Sequence, residues 1–306
     1  MEAEIDNIKI LSVSEVDSLK PVVLEESVLD AQEVKENFQV KGISYFHLLL
    51  DKLTQKLFNK DFSKIEIDEK IKAEEIISTV AKTLPINLNE FDKAVFCAAL
   101  SWQIEGNAVV TLESLAKTLG SAINHKVSDK FKKDIFDSIR RLMGLVIDLD
   151  ITGIVNHYGS NLPANLTGSI LPSVAAYNVS VNGYPKNAVI KFLDYSPLYR
   201  VALMKNQLTK VNSSLISAPS VKTSKRTVTL KMYLLERIKQ KKLKETILLS
   251  TLYKNCGMEN LNRFEKRDTR NEIAKILDFY VSEGLIKSWQ FVKEKGEFAK
   301  IIFSRS

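Results

Sequence analysis

The sequence predicts an α+β chain, mostly helical, in which one order of elements occurs twice. Three observations carry that expectation. Apolar residues recur three and four apart in successive segments, from Leu88 onward and again from Val228. Glycines (Gly106, Gly120 and Gly144, then Gly257 and Gly284) fall where those segments should stop. Alternating apolar runs close each half, one hinged on Asn182-Gly183 and the other on Lys295-Gly296.

Residues 1–40 hold ten acidic residues against three lysines and no sustained periodicity, so they read as a flexible acidic arm. Residues 41–85 read as a helical N-terminal extension. Within it, 43–58 and 70–84 carry amphipathic spacing.

Residues 86–218 form the first expected domain. Asn89 caps a helix through FDKAVFCAALSWQIE, and Asp92 favours its positive end. Val109-Val110 is a short extended piece, and Thr111 caps LESLAKTL. Ser128 or Asp129 starts a third helix, KFKKDIFDSIRRLM, with Phe131, Ile135, Ile139 and Leu142 on its apolar stripe. A strand, LVIDLDI, follows. Its partner is expected late, after a Gly-, Asn- and Ser-rich loop at 152–173, in the hairpin AYNVSV–Asn182-Gly183–AVIKFL. Residues 195–218 read as a short helix and an extended connector.

Pro219 and the polar stretch Ser220–Thr227 mark the boundary of a second domain, 219–306. Val228–Leu243 is a long basic helix and Ile247–Cys256 a second. Asp268 caps a third, TRNEIAKILDFYVSE, and the strands IKSWQFVKE and EFAKIIFS end the chain. Both halves thus follow the order of a winged helix, a helix-turn-helix domain followed by a strand hairpin, and the expected fold is two of them in tandem, the first with an enlarged wing.

The charge distribution suggests a partner. The chain carries a net charge of +7, but residues 220–306 hold twenty Lys and Arg against ten Asp and Glu. A basic, well-patterned end favours a polyanion, and nucleic acid is the first candidate. No apolar run approaches the ~18 residues of a membrane span, and the acidic N-terminus lacks the apolar core of a signal peptide, so no membrane is expected and the cytoplasm is the expected location. Cys97 and Cys256 stand apart with no metal-ligand spacing, and His47, His125 and His157 are scattered. No metal and no cofactor is expected.

In a helix-turn-helix the third helix enters the major groove. In the second domain Ile273, Ile276, Leu277, Tyr280 and Val281 form the apolar stripe, leaving Arg267, Thr269, Arg270, Asn271 and Lys275 to face outward. Arginine can pair with guanine and asparagine with adenine. Lys293 and Lys295 at the wing tip are placed for phosphates or a minor groove. In the first domain Lys132, Lys133 and Arg140 lie off the apolar stripe, interrupted by Asp134 and Asp137. Backbone contact or dimerisation suits that helix better than base reading.

Two enzymatic readings meet obstacles. Asp148 and Asp150 share a strand face at a spacing used by two-metal polymerases, but no third carboxylate follows. Tyr195 and Tyr199 sit four apart, as in some nicking enzymes, but no two histidines are close and Pro197 argues against a helix between them. No P-loop or dinucleotide-type glycine turn occurs. The chain is not expected to be an enzyme.

LNEFDKAVFCAAL followed by EGN, the Thr-initiated helix, IFDSIRRLMGLVIDLDIT, the VNGYPKNAVIKFLDYSPLY block and the second winged-helix pattern together resemble replication-initiator-like proteins of Gram-positive plasmids and mobile elements. The architecture is similar to the iteron-binding plasmid Rep initiators, over roughly residues 85–304. The resemblance implies binding of repeated origin sequences on double-stranded DNA, recruitment of host replication proteins, a regulatory homodimer, and a C-terminal domain that reads sequence more strongly. A transcriptional repressor acting at an operator, or a winged-helix protein–protein adaptor, would use the same scaffold.

Overall fold

The computed structural model describes residues 42–59, 88–120, 127–153, 164–179, 185–217 and 221–306. The acidic arm, the expected helix at 70–84 and the Asn182-Gly183 turn lie outside the described residues. Helices and small antiparallel sheets alternate along the chain. Among the described residues no helix is long and apolar enough to cross a membrane.

The N-terminal extension departs from the helix expected at 43–58. It opens with strand β1 (Tyr45–Leu49) and only then forms helix α1 (Lys52–Asn59). Phe46, His47, Leu48 and Leu49 are all buried. A contiguous run of that kind fits a strand covered on both faces as well as a helix, and periodicity alone does not separate the two. The break comes at Asp51, whose Oδ1 accepts the Thr54 backbone N–H at 2.7 Å.

Helix α2 (Glu90–Ile104) is the centre of the first half, buried from Glu90 to Trp102. Its start is the expected one: Asn89 accepts from the Phe91 and Asp92 backbone, and Asp92 returns a bond to the Asn89 N–H. Strand β2 (Val109–Thr111) and helix α3 (Leu112–Thr118) follow, with Thr111 as cap. Helix α4 (Asp129–Gly144), capped by Ser128, buries the expected Phe131, Ile135, Ile139 and Leu142. Beneath α2, the Asp92 carboxylate accepts Ser138 Oγ at 2.7 Å and Arg141 Nη2 at 2.5 Å, which ties α4 to the start of α2.

The strands that follow correct the expected pairing. Strand β3 (Val146–Asp150) pairs with β4 (Asn165–Ser169), inside the segment read as loop. The hairpin of β5 (Ser173–Val179) and β6 (Pro185–Phe192) joins β2 instead, in the order β2-β6-β5. Helix α5 (Pro197–Met204) begins at Pro197 rather than being broken by it, because the first helical position needs no N–H donor and Ser196 supplies the cap. The connector then becomes strand β7 (Leu208–Asn212), antiparallel to β1, and a short helix α6 (Ser214–Ser217).

The second half begins with α7 (Lys225–Lys239), capped by Ser224 and ending before the expected Leu243. Strand β8 (Thr246–Leu248) takes the first residues of the expected second helix, leaving α8 (Leu249–Asn255). Helix α9 (Arg263–Ser282) starts at Asn262, not Asp268. Strands β9 (Ile286–Glu294) and β10 (Glu297–Arg305) finish a sheet ordered β8-β10-β9. Their two-residue turn places Lys295 at φ 51° and Gly296 at φ 85°, the paired positive values that such a hairpin requires.

The halves share one apolar core. Helices α2 and α7 pack against each other, and Lys93 Nζ meets Glu236 Oε2 at 2.7 Å inside that contact. Burial alone would lower the Lys93 ammonium, but the Glu236 and Glu90 carboxylates outweigh it and hold Lys93 above the usual lysine range.

Candidate nucleic-acid interface

Helix α9 carries two opposed stripes. Thr269, Ile273, Ile276, Leu277 and Tyr280 are buried, and Tyr280 Oη donates to the Lys231 carbonyl of α7 at 3.3 Å. The expected core is therefore correct with two changes. Val281 is only partly covered, and Thr269 belongs to the inward stripe, fully buried. Thr269 cannot face a groove: it lies one helical turn before Ile273, on the same side.

The outward stripe holds Arg267, Asn271 and Lys275, all exposed. Because α9 starts at Asn262, these residues sit in its second to fourth turns. About one further turn of exposed side chains, Arg263, Phe264 and Lys266, precedes them. The cap is a reciprocal box, with Asn262 Oδ1 accepting from Phe264 and Glu265 and Glu265 Oε2 accepting from the Asn262 N–H. The Asn262-x-x-Glu265 spacing was legible in the sequence and marks the true start.

Arg270 occupies the flank of α9 that faces the terminal hairpin. Its guanidinium carbon lies 4.8 Å from the centre of the Phe298 ring. Lys293 Nζ lies 4.7 Å from the same ring centre, and Lys293 is the cross-strand neighbour of Phe298 in the β9–β10 ladder. On its other side Arg270 approaches Tyr253 of α8. Burial raises the Tyr253 phenol, and the Arg270 charge offsets part of that rise. The opposite flank of α9 is occupied by an ion pair, Arg226 Nη2 to Glu272 Oε1 at 2.6 Å.

Aromatic side chains are interleaved with this basic surface. Phe264 is 68% exposed and Phe298 39%, and Arg267 lies 5.7 Å from the Phe264 ring centre. A ring ladder, Trp289 to Phe291 to Phe298, runs along the hairpin at 5.1 and 5.7 Å. The Trp289 indole N–H donates to Asp278 of α9 and fixes the hairpin to the helix. Neither phenylalanine was singled out from sequence, because apolar residues outside a helix stripe carry no periodic signal. Lys295 is exposed at the hairpin tip, and Arg267, Asn271 and Lys275 are exposed along α9; of the expected contact residues, Arg270 and Lys293 are brought together, at the Phe298 ring.

The corresponding helix of the first half is more neutralised. Lys132 lies 3.7 Å from Glu113, and Lys133 pairs with Asp137 at 2.6 Å. Arg140 is exposed, while its neighbour Arg141 is committed to Asp92. Phe136 packs edge-on against Tyr177 at 4.5 Å and connects α4 to β5.

The residues raised for bond chemistry have structural partners. Asp148 accepts from Thr167 Oγ1 at 2.6 Å and Asn165 Nδ2 at 3.1 Å, across the β3–β4 pair. Hydrogen bonds from the Thr152 hydroxyl and backbone hold Asp150 below its usual carboxylate range. The Tyr195 and Tyr199 rings lie 5.0 Å apart at a 33° tilt, Tyr199 in the first turn of α5 and Tyr195 just before its cap. Burial raises both the Cys97 and the Cys256 thiol. Among the described residues no three His, Cys, Asp or Glu side chains gather as a metal site.

No family model and no curated protein matches the chain. Among solved structures it is similar to domains 2 and 3 of RctB, crystallised as selenomethionine derivatives. The identity is 13%, the match covers 70% of this chain and 80% of that one, and the TM-score is 0.36. Likeness at that level assigns no family.

Proposed function

We propose that the chain binds specific double-stranded DNA through two tandem winged helices and initiates replication of a plasmid or mobile element, without making or breaking a bond. One observation supports the DNA-binding reading: Arg270 of α9 and Lys293 of the β9–β10 hairpin meet at the Phe298 ring, beside an α9 stripe on which Arg267, Asn271 and Lys275 are exposed. In this reading α9 enters the major groove, with Asn271 and Arg267 on base edges and Lys293 and Lys295 on phosphates. The first half, whose third helix is partly neutralised by Glu113 and Asp137, contacts backbone or a second copy of the chain. The β3–β4 hairpin is an insertion ahead of its wing. The initiator role is supported by the sequence resemblance to plasmid initiators, which further suggests host replication proteins as partners and the cytoplasm as the location.

Duplex affinity of the full chain, measured against ionic strength, tests this. Log affinity should fall steeply with log salt, by about 0.9 per phosphate contact. Arg267→Ala and Lys295→Ala should each weaken binding, and Lys295→Ala should also flatten the slope by about one contact. Salt-independent behaviour with no duplex affinity would sink the reading and favour a protein–protein adaptor. A plasmid-maintenance assay beside a reporter assay separates initiator from repressor, since a repressor does not support replication.

A further inference from the structure

We infer that Phe298 is a positioning residue for DNA contact: its ring holds the Arg270 guanidinium of α9 and the Lys293 ammonium of β9 together, so that helix and hairpin present their charges as one preformed unit. This inference rests on the duplex-binding reading above and adds to it a residue that itself carries no charge.

Four observations support it. Both cations lie within 5 Å of one ring centre, at 4.8 and 4.7 Å. They come from different elements, since Arg270 lies on the helix flank and Lys293 opposite Phe298 in the strand pair. The ring is 39% exposed, so apolar packing alone does not account for its place. It is also steadied from behind by Phe291, edge-on at 5.7 Å, which in turn abuts Trp289.

The physics favours such a device. Arginine and lysine side chains have many rotamers, and fixing each one on binding costs free energy. The negative face of an aromatic ring attracts a cation and limits its excursions before DNA arrives. Two like charges brought close also repel, and their shared attraction to one ring offsets part of that repulsion. Glu294, the nearest carboxylate on β9, is already engaged by Lys300 at 2.7 Å, and Glu297 is exposed at the start of β10. The aromatic contact is thus the interaction common to Arg270 and Lys293.

The test is duplex affinity at low ionic strength for the full chain and for Phe298→Leu, Phe298→Trp, Arg270→Ala/Lys293→Ala and the triple variant that adds Phe298→Leu. Leucine keeps apolar bulk without a cation-binding face, and thermal unfolding checks that each variant folds. Phe298→Leu should weaken binding about two- to fivefold, the range of an exposed cation–π contact, and leave the salt slope unchanged because no charge is lost. Phe298→Trp should bind at least as well as the parent. In the Arg270→Ala/Lys293→Ala background, Phe298→Leu should cost nothing more. If the parent binds and Phe298→Leu costs the same factor in both backgrounds, Phe298 acts without the cations and the inference is overturned, while the duplex-binding reading survives. If the parent itself shows no duplex affinity, that reading falls first and this one with it.

Discussion

Lys93 of α2 and Glu236 of α7 form a 2.7 Å ion pair in which Lys93 is fully buried and Glu236 nearly so. The pair lies between the two halves of the chain, at a contact that neither half would bury alone. Glu90 and Asp51 add further negative charge beside it. Removing one partner leaves a buried charge uncompensated, which typically costs about 3–5 kcal/mol. At about pH 8, where Glu236 is ionised and the pair is complete, Lys93→Met and Glu236→Gln should each destabilise by that order. Lys93→Met combined with Glu236→Leu should recover most of the loss. Urea unfolding of the three variants checks this, and a double variant as unstable as both singles added together would refute it.

The same cluster sets a pH dependence. Burial, reinforced by Glu90 and Asp51 against the opposing pull of Lys93, raises Glu236 to about 7 from an ordinary 4.5. The folded chain then holds a proton that the unfolded chain releases near 4.5. The stability it contributes is complete below about pH 4.5 and is lost as pH rises through about 7. His47 acts in the opposite sense. Burial lowers its imidazole, so stability is present above its ordinary 6.5 and falls as acid protonates it. Glu236→Gln should therefore shift the stability profile toward rising with pH between 4.5 and 7. An unfolding free energy that differs from the parent by a constant over that window would refute the assignment.

Thr269 gives a test that separates sequence reading from structure. Its hydroxyl is buried with no hydrogen-bond partner among the described residues. Thr269→Val keeps the shape and removes the unsatisfied group, so it should raise stability by about 1 kcal/mol. Duplex affinity should stay within about twofold, the level expected of a substitution that touches no base. A large loss of affinity in a well-folded Thr269→Val chain would place Thr269 back at the interface.

Gly120 closes α3 at φ +141°, and its carbonyl accepts from the Thr223 hydroxyl across the junction of the halves. A Cβ there would meet Thr223 Oγ1 at 3.3 Å and Lys231 Nζ at 3.4 Å. Gly120→Ala should cost about 1–3 kcal/mol through backbone strain alone. Gly144, which has open space around it, is the control. Gly144→Ala should be neutral or stabilise by up to about 1 kcal/mol. Thermal midpoints of the two variants check the contrast.

Much of the helical framework was legible because it depends on local chemistry. Asn89, Thr111 and Ser128 cap the helices they were expected to cap, and the stripe Phe131–Ile135–Ile139–Leu142 is buried as a unit. The misses are tertiary. Residues 165–169 (NLTGS) have a turn-like composition, yet they pair with β3 because its backbone and Asp148 supply the partners. Tyr45–Leu49 is a strand because β7, more than 150 residues later, lies beside it. Lysine is seldom buried, and only the arrival of Glu236 makes the burial of Lys93 in α2 tolerable. At the basic surface, charge counts pointed to the second half, but the role of Phe298 depends on which side chains converge on its ring.

The packing of α2 on α7 also fixes an angle. Whatever duplex meets both halves must do so with its grooves presented at the rotation that this packing sets. DNA turns once in about 10–10.5 base pairs. Inserting about five base pairs between the two contacted segments would carry one of them to the far side of the double helix, and inserting about ten would bring it back. Spacing tolerance along such a site would therefore be periodic, and the chain would act as a protractor laid against the DNA.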